Sequence, residues 1–351
     1  MNITRRDCLQ WGSLTAMGLA LPGFGTSAAR AQEGRKGLAL SIALDYRRYD
    51  RPSYGNSHIP PLDGCIPDLK DMTKILHGQS LPVRQLINET ATRKNVSDWI
   101  LRAAGLLDAG DLFCVTYSGH GTALRDTSGD EPEDQAWCLY DGLFLDDELA
   151  NLWAKFKRDV RIAVVSDSCH SGTVLRDVIF NESKSRVINF VTRSLRGSGD
   201  LAEVTQRLTR SFPNPVKTRD LNFNPKGEEA KLASASRALP EAARVTLERE
   251  FGAEYRRLKA GLSSKREADR ATEASVLLLA ACQDQQTAAD IGTNGLFTAV
   301  LKDQIRTATG YRRLLEAIRQ RLERGDVAQT PNFMTLGAPN SAFEKQPPFS
   351  I

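Results

Sequence analysis

Short apolar runs typical of buried strands recur along the chain, and amphipathic segments typical of helices lie between them. Such continuous runs predict strands of a sheet that is buried on both faces. The predicted strands are residues 38–44, 83–87, 112–117, 161–166, 275–281 and 332–337, and the predicted helices are residues 65–77, 92–107, 145–156, 294–307 and 310–323. The alternation indicates an α/β fold, with a mostly parallel central sheet of about six strands flanked by helices on both faces.

One long segment, residues 181–272, interrupts this pattern. It contains no convincing buried strand, and it carries 19 Lys or Arg residues against 12 Asp or Glu residues. Within it, residues 239–262 have the composition of one exposed helix. We therefore expect a basic insertion that separates two parts of one sheet, residues 32–180 and residues 273–351. A basic insertion is usually solvated surface, but a long loop inside a compact domain is more often functional or mobile than a short one.

The first 31 residues have the pattern of a bacterial export signal. Arg5 and Arg6 precede an apolar stretch, residues 14–24, which is followed by small residues that end at Ala31. This order is typical of a cleaved signal peptide, and the arginine pair indicates the twin-arginine route. No later stretch reaches the roughly 18 apolar residues that a membrane span needs. We expect a mature protein that is periplasmic or secreted and does not bind a membrane.

The overall charge is nearly balanced, since 47 basic residues stand against 43 acidic ones in a chain of 351 residues. The formal net charge of +4 gives no reason to expect nucleic acid as a partner. Five cysteines remain after the leader, and an odd number in an oxidising compartment implies at least one free thiol. Cys114 and Cys282 lie inside apolar runs, which is typical of small buried side chains.

Two motifs carry the candidate chemistry: "VTYSGHG", residues 115–121, and "VVSDSCHSGT", residues 164–173. Each begins as a predicted strand and breaks into small residues at its carboxyl end, where parallel sheets gather their ligands. A cysteine nucleophile needs a base that takes its proton. His170 is adjacent to Cys169 in sequence, but neighbouring side chains at a strand end point to opposite sides. If the two strands are neighbours in the sheet, His120 lies beside Cys169 and is the base.

The ordered set of motifs resembles the metacaspases, which are caspase-like cysteine peptidases. "YSGHG" and "DSCHSG" are similar to the catalytic pair of that family, and "LDGCIPDLKDM", residues 62–72, is similar to its "GC..D" helix start. "GDEPED" and "LDDEL" resemble its acidic loops, and "ACQDQQTAAD", residues 281–290, and "QTP" resemble its small-subunit region. The resemblance covers residues 37–180 and 275–337. It implies a caspase-like fold and a bacterial protein similar to type I metacaspases.

By this resemblance, Cys169 is the nucleophile, and His120 is the general base and then the general acid. The backbone N–H groups of Gly121 and Cys169 form the oxyanion hole, where one donor typically contributes about 10² to 10³ in rate. The chemistry of this dyad requires no cofactor. The structural alternative is that both residues are merely small polar residues at strand ends.

The resemblance also identifies four residues as the lining of the substrate pocket: Cys65, Asp68, Ser118 and Asp167. Ser118 and Asp167 each lie two residues before a catalytic residue and share its strand face. In metacaspases the matching pocket accepts Arg or Lys before the scissile bond, and two carboxylates in a partly dry pocket favour a cationic partner. The structural alternatives are a helix cap for Asp68 and an internal hydrogen-bond anchor for Asp167.

Calcium is the one metal that the resemblance brings in. Asp134, Asp146 and Asp147 match family positions that bind Ca²⁺, and oxygen atoms are the ligands that this ion requires. Two departures weaken the match, because Gln135 replaces the second acidic residue of the first pair and Arg176 falls on the acidic position after the nucleophile. Solvated surface is the alternative for these acidic loops. Calcium is therefore expected only as an optional ligand.

These expectations describe an exported, monomeric cysteine endopeptidase whose partners are peptide or protein substrates with Arg or Lys before the scissile bond. Self-cleavage within residues 181–272 is also expected, because exposed backbone tethered next to the active site is a ready substrate. Two alternatives stay open. One is a related transpeptidase, and the other is a catalytically weak caspase-fold protein with a binding or regulatory role. The intact Cys169 and His120 argue against the second alternative.

Overall fold

Nine strands are present in the part of the chain that the computed structural model describes, which comprises residues 34–47, 59–125, 133–168, 239, 241–282, 288–291, 293–324 and 329–351. They are β1 (Gly37–Ala43), β2 (Val83–Ile87), β3 (Leu112–Ser118), β4 (Gly121–Arg125), β5 (Glu133–Leu139), β6 (Gly142–Leu145), β7 (Arg161–Asp167), β8 (Ser275–Ala280) and β9 (Asn332–Gly337). Six of them form the central sheet in the order β2-β1-β3-β7-β8-β9. All neighbours are parallel except β8 and β9, so the predicted mostly parallel sheet of six strands is confirmed.

Helices cover both faces of this sheet. They are α1 (Cys65–Gly78), α2 (Arg93–Leu106), α3 (Asp146–Trp153), α4 (Glu241–Lys259), α5 (Lys265–Ala271), α6 (Leu296–Gln304), α7 (Tyr311–Arg324) and α8 (Ser341–Lys345). Successive strand residues point to opposite faces, and Val115 and Cys114 accordingly belong to two different apolar clusters. Ile100 of α2 packs into the cluster that contains Val115, called the first apolar cluster below. Val300 of α6 and Leu315 of α7 pack into the second cluster, which contains Cys114. Helices on both faces were predicted, and this is confirmed.

The centre of the sheet is its most deeply buried part. All seven residues of β3 and all seven of β7 are buried, because each of these strands has a neighbour on both sides. The edge strand β9 has no fully buried residue. Because β3 and β7 are parallel neighbours, their carboxyl ends meet at the same point of the sheet edge, which is where ligands gather in folds of this class.

A second, antiparallel sheet of three strands follows directly after β3, in the order β4-β5-β6, and the sequence pattern did not predict it. The connection between β5 and β6 is the two-residue turn Tyr140-Asp141, and Gly142, the first residue of β6, has a positive φ of 146°. Trp137 of β5 stacks on Tyr117 of β3, with ring centroids 4.5 Å apart. The small sheet is thereby packed against the carboxyl end of the central sheet.

The helix predicted within the insertion is present as α4, but its predicted exposure is wrong. Phe251 and Tyr255 are only 5% and 4% exposed, and they belong to the first apolar cluster together with Leu239. Residues 181–238 lie outside the described part of the chain. Strand β8, which follows the insertion in sequence, pairs with β7, which precedes it.

None of the helices in the described ranges has the length and apolar character that crossing a membrane would require. The predicted export signal, residues 1–31, lies outside those ranges, so the expected export stays a prediction.

Candidate active site

The two strands that carry the candidate dyad are direct neighbours. Strands β3 and β7 pair in parallel, and Ser118 lies opposite Asp167 in their register. His120 and Cys169 each follow two residues later, so both chains leave the sheet at the same point of its edge. Cys169 itself lies outside the described residues, which end at Ser168. The predicted neighbourhood of the two strands is confirmed, whereas the choice of His120 over His170 stays a prediction.

The backbone of His120 is fixed by the hydroxyl group of Tyr46. The His120 N–H group donates to this hydroxyl at 2.8 Å, and the hydroxyl donates to the carbonyl oxygen of Cys138 at 2.7 Å. The Cys138 N–H group in turn donates to the His120 carbonyl oxygen at 3.0 Å, and the Tyr117 hydroxyl donates to the same oxygen at 2.7 Å. The Tyr46 hydroxyl therefore bridges the His120 N–H group and the Cys138 carbonyl oxygen, within the backbone pairing that joins His120 to β5.

Gly119 is required where it stands because the two tyrosines approach its backbone. A Cβ atom at this position would lie 2.6 Å from the Tyr117 hydroxyl and 2.7 Å from the Tyr46 hydroxyl, and both distances are shorter than real contacts. The space that a side chain would need at Gly119 is taken by the hydroxyl groups that hold His120.

The imidazole ring of His120 is buried and held in one orientation. Its Nε2 atom lies 2.8 Å from the carbonyl oxygen of Pro60, and the Tyr46 ring lies 4.6 Å away between centroids. Because a carbonyl oxygen only accepts hydrogen bonds, Nε2 carries the hydrogen in this contact. The neutral ring therefore has its basic lone pair on Nδ1, which is the atom able to take a proton from a thiol.

The geometry of β4 bears on the predicted oxyanion hole. His120 and Cys138 are the hydrogen-bonded pair at the start of the β4–β5 ladder, and Gly121 lies opposite Trp137. In an antiparallel ladder the pairs alternate, so the N–H and C=O groups of Gly121 point away from β5. The Gly121 carbonyl accepts a bond from the N–H group of Leu239 on that side, at 3.4 Å. The N–H group of Gly121 faces the same side and can serve as a donor there.

A chain of polar contacts holds the end of β7 immediately before Cys169. The indole N–H of Trp137 donates to the Ser166 hydroxyl at 3.1 Å, and this hydroxyl lies 3.0 Å from that of Ser168. The thiol of Cys282 donates to the Ser168 carbonyl at 3.5 Å. The residue preceding Cys169 is therefore anchored to both the small sheet and the chain that follows β8.

The predicted pocket residues meet at the same edge. The Ser118 hydroxyl donates to Oδ2 of Asp68 at 2.8 Å, and Asp167 is the register partner of Ser118. Asp68 and Asp167 are each 1% exposed. Cys65 is fully buried one turn before Asp68 on α1. The structure thus brings a hydroxyl group and two buried carboxylates together next to the candidate dyad.

Both carboxylates are held at the amino-terminal end of α6. Asp68 accepts from the Gly295 N–H at 2.9 Å and from the Asn294 side-chain amide at 2.9 Å. Oδ2 of Asp167 accepts from the Thr298 N–H at 3.0 Å and from the Thr298 hydroxyl at 2.6 Å. These donors are neutral, and hydrogen bonds to the charged form of a carboxylate favour that form. Asp167 therefore binds a free N–H group in the first turn of α6, and Asp68 binds the N–H group of Gly295, the residue that precedes this helix. The role of both carboxylates in the substrate pocket stays a prediction.

Three residues that support the site were overlooked in the sequence. Tyr46 follows β1 at the same sheet edge as His120, so its position after a strand end was a usable signal. Pro60 and Thr298 gave none, because each reaches the site from an element more than fifty residues away in sequence. Contacts of this kind depend on the arrangement of the whole sheet.

The three aspartates matched to calcium positions all contact side chains of the insertion. Lys259 of α4 lies 3.0 Å from Asp134 and also hydrogen bonds to Asp147. The Tyr255 hydroxyl donates to the other oxygen of Asp134. The ammonium group of Lys265 contacts Asp146. The acidic positions are therefore not solvated surface, since the side chains of Asp134 and Asp147 are 0% and 1% exposed.

The charges of this cluster respond to burial and to one another. Burial alone lowers the pKa of Lys259, but hydrogen bonds to Asp147 and Asp134 outweigh this effect and raise the pKa above its ordinary value. The ammonium group is consequently charged at neutral pH. Burial raises the pKa of Asp146 to about 6, although Lys265 lowers it in part.

This arrangement does not fit a calcium ion. Ca²⁺ takes about six to eight oxygen ligands, whereas both oxygens of Asp134, both of Asp146 and Oδ2 of Asp147 already accept hydrogen bonds. The ammonium group of Lys259 lies between Asp134 and Asp147, where it would repel a divalent cation. Among the described residues, no group of His, Cys, Asp and Glu side chains has the arrangement of a metal site.

Comparison with solved structures supports the fold at the level of the whole chain. A protein from Geobacter sulfurreducens with a known crystal structure is 33% identical to this chain and superimposes with a TM-score of 0.68. The match covers 90% of this chain and 99% of that protein.

Curated relatives and a family model agree on the type of fold. Metacaspase-2 of Trypanosoma brucei brucei is 30% identical over 163 residues, which is 40% of this chain and 43% of that protein. Metacaspase-1 of Schizosaccharomyces pombe is 25% identical over 285 residues, which is 74% of this chain and 60% of that protein. The chain thus spans less than half of the trypanosome relative. The model of the caspase domain matches residues 36–340, so the chain belongs to the caspase-domain family and is of the metacaspase type.

Proposed function

We propose that the chain is a cysteine endopeptidase that cleaves peptide bonds after Arg or Lys. The observation that carries the proposal is the fixed, buried His120 at the carboxyl end of β3, beside the strand that leads to Cys169. A base that is oriented by a backbone carbonyl, at the end of a strand whose neighbour leads to a cysteine, favours formation of a thiolate. Membership of the caspase-domain family supports the same chemistry.

The reaction follows from the proton positions. Nδ1 of His120 takes the thiol proton of Cys169, and the thiolate attacks the scissile carbonyl carbon. The negative charge that develops on the carbonyl oxygen is stabilised by the N–H groups of Gly121 and Cys169. The protonated imidazole then gives its proton to the leaving amine, which leaves a thioester. Water, deprotonated by His120, hydrolyses the thioester and restores the thiol.

The preference for a basic side chain rests on Asp68 and Asp167. Both carboxylates are buried at the sheet edge that carries His120, where they bring negative charge, and hydroxyl, amide and backbone N–H groups hold them in place. A guanidinium or ammonium group of the substrate compensates this charge, and a guanidinium group can bind a carboxylate through two hydrogen bonds. An acidic substrate side chain would add a third negative charge and is expected to be rejected.

Variants of the dyad test the chemistry. Cys169→Ala and His120→Ala are each expected to abolish hydrolysis of a peptide that ends in Arg, whereas His170→Ala should keep most of the wild-type rate. The His170→Ala variant is the matched control because it removes an imidazole from the same motif. Comparable loss of activity in that variant would contradict the assignment of the base.

Matched peptides that differ only in one residue test the specificity. We expect hydrolysis after Arg and Lys but not after Asp, and we expect Asp167→Asn and Asp68→Asn to raise KM for the Arg peptide far more than they affect kcat. Loss of one partner from a desolvated charge pair typically costs about 2 to 5 kcal/mol. Unchanged Arg kinetics in both variants, on folded protein, would remove these residues from the pocket. Product analysis with an added amine nucleophile distinguishes hydrolysis from transpeptidation.

We also propose that the protein is exported and that it cleaves itself within residues 181–272. The twin-arginine pattern of the leader supports export, and tethering of the insertion next to Cys169 supports self-cleavage. Fractionation of cells that produce the full chain, followed by intact-mass analysis, tests both proposals. An unshortened chain that stays in the cytoplasm would refute export. Fragments formed equally by Cys169→Ala would refute self-cleavage.

A further inference from the structure

Helix α4 presents one continuous face to the rest of the molecule. Phe251, Tyr255 and Lys259 are spaced by four residues, so they lie on the same side of the helix. Phe251 lies 3.3 Å from the position of a Cβ atom at Gly142, and the Arg93 guanidinium lies 5.9 Å from its ring centroid. These three side chains form a stripe, two aromatic and then one cationic, through which the helix packs against the rest of the molecule.

The cationic end of this stripe is buried. The side chain of Lys259 is only 7% exposed, and its ammonium group contacts Asp134 of β5 and Asp147 of α3. The Tyr255 hydroxyl donates to the second oxygen of Asp134. One ammonium group therefore joins three elements of the fold, and each of its two carboxylate partners is buried as well. A buried lysine of this kind needs such partners because an isolated buried charge is costly.

A divalent ion between Asp134 and Asp147 would perform the same structural task, but it would have to displace Lys259. We propose that Lys259 is a built-in cation that bridges β5, α3 and α4, and that it makes this part of the fold independent of calcium. The proposal does not depend on peptidase activity, because its consequences are stability and metal binding.

The bridge lies on the sheet that positions the candidate base. Strand β5 carries Cys138, whose backbone pairs with His120. The chain just before α4 is joined to β4, since the Leu239 N–H group donates to the Gly121 carbonyl. Docking of α4 through Lys259 therefore stabilises both strands that hold His120 and Gly121. In this chain that task is performed by a side chain, whatever the calcium concentration.

Melting curves of the full chain, in a Cys169→Ala background that prevents self-cleavage, test the proposal. With Lys259 intact, we expect the melting temperature to differ by less than about 1 °C between EDTA and millimolar CaCl2. Lys259→Met should lower it by on the order of 5 to 10 °C, because two carboxylates lose their cation. Lys94→Met is the control, since Lys94 makes an exposed ion pair with Asp98, and it should change the melting temperature by less than about 2 °C.

A double-mutant cycle separates the bridge from general packing. Asp147→Asn removes one of the two carboxylate partners of Lys259. It should lower the melting temperature less in the Lys259→Met chain than in the chain that keeps Lys259. If the two substitutions lower the melting temperature by strictly additive amounts, the proposed bridge between Lys259 and Asp147 is overturned. The claim that this part of the fold is independent of calcium can be tested without a lysine variant. Titration calorimetry with CaCl2 alone should detect no binding to the chain with Lys259 intact. One bound ion per chain, with a raised melting temperature, would overturn the proposal even if Lys259→Met did not fold.

Discussion

The hydroxyl group of Tyr46 is predicted to be the main support of His120. Tyr46→Phe removes one oxygen atom and keeps the ring that lies 4.6 Å from the imidazole. The change removes the acceptor of the His120 N–H and the donor to the Cys138 carbonyl, at 2.8 and 2.7 Å. Both backbone groups are in the buried interior, where water cannot replace the hydroxyl without rearrangement.

The size of the effect follows from the number of bonds that are lost. A buried polar group that loses its partner typically costs about 1 to 3 kcal/mol, and this applies to the His120 N–H group. The Cys138 carbonyl loses one bond but keeps the Tyr117 hydroxyl at 3.3 Å, which adds about 0.5 to 1.5 kcal/mol, so Tyr46→Phe should cost about 1.5 to 4.5 kcal/mol. Tyr117→Phe is the matched comparison. It removes bonds to the His120 carbonyl at 2.7 Å and to the Cys138 carbonyl at 3.3 Å, but the first carbonyl keeps the Cys138 N–H as donor and the second keeps the Tyr46 hydroxyl. The comparison variant should therefore cost only about 0.5 to 1.5 kcal/mol.

Urea unfolding of both variants in the Cys169→Ala background measures the stability difference, and steady-state kinetics in the active chain measure the effect on the base. We expect kcat of Tyr46→Phe to fall by roughly 10 to 100-fold with little change in KM, because a small displacement of a catalytic group lowers the rate and not the binding. Equal losses of stability and kcat in Tyr46→Phe and Tyr117→Phe would refute the reasoning. Unchanged kcat in Tyr46→Phe would refute it as well.

Three further predictions follow from burial and close packing. Iodoacetamide should label Cys169 of the native protein at neutral pH. Cys114 should react only after denaturation, because burial raises the pKa of its thiol. Peptide mapping before and after denaturation shows which cysteine is labelled. Gly119→Ala should reduce both stability and kcat, because its Cβ would lie 2.6 Å from the Tyr117 hydroxyl, and a wild-type melting curve would contradict that packing. Self-cleavage should occur after Lys or Arg within residues 181–272, and cuts after acidic residues, mapped by intact mass, would argue against the carboxylate pocket.

The fold was largely accessible from local patterns. Each predicted strand of the central sheet is present within about one residue of its predicted bounds. The inner strands gave the clearest pattern, because a strand that is buried on both faces is apolar along most of its length. The small sheet β4–β6 was missed because its strands are short and adjoin the acidic loops. The Asp141-Gly142 pair was the one local signal for its hairpin.

The insertion shows where local pattern is insufficient. Its helix was predicted from composition, but the charged surroundings of Phe251, Tyr255 and Lys259 suggested an exposed element. The spacing of four residues defines a face, yet the sequence does not say what that face contacts. Asp134 and Asp147 precede Lys259 by more than one hundred residues, so their pairing with it could not be read from any local pattern.

The alternation of strands and helices, the family resemblance and the residue types at the candidate site were readable from the sequence. These are local properties, since apolar periodicity and short motifs are contained within a few neighbouring residues. Three contacts appear only in the folded chain: Ser118 lies opposite Asp167 on the neighbouring strand, Asp68 binds the backbone of Gly295 more than two hundred residues away, and a lysine is the cation between two buried aspartates. Such contacts depend on strand order and helix docking, because burial and hydrogen bonding are settled between segments that are distant in sequence.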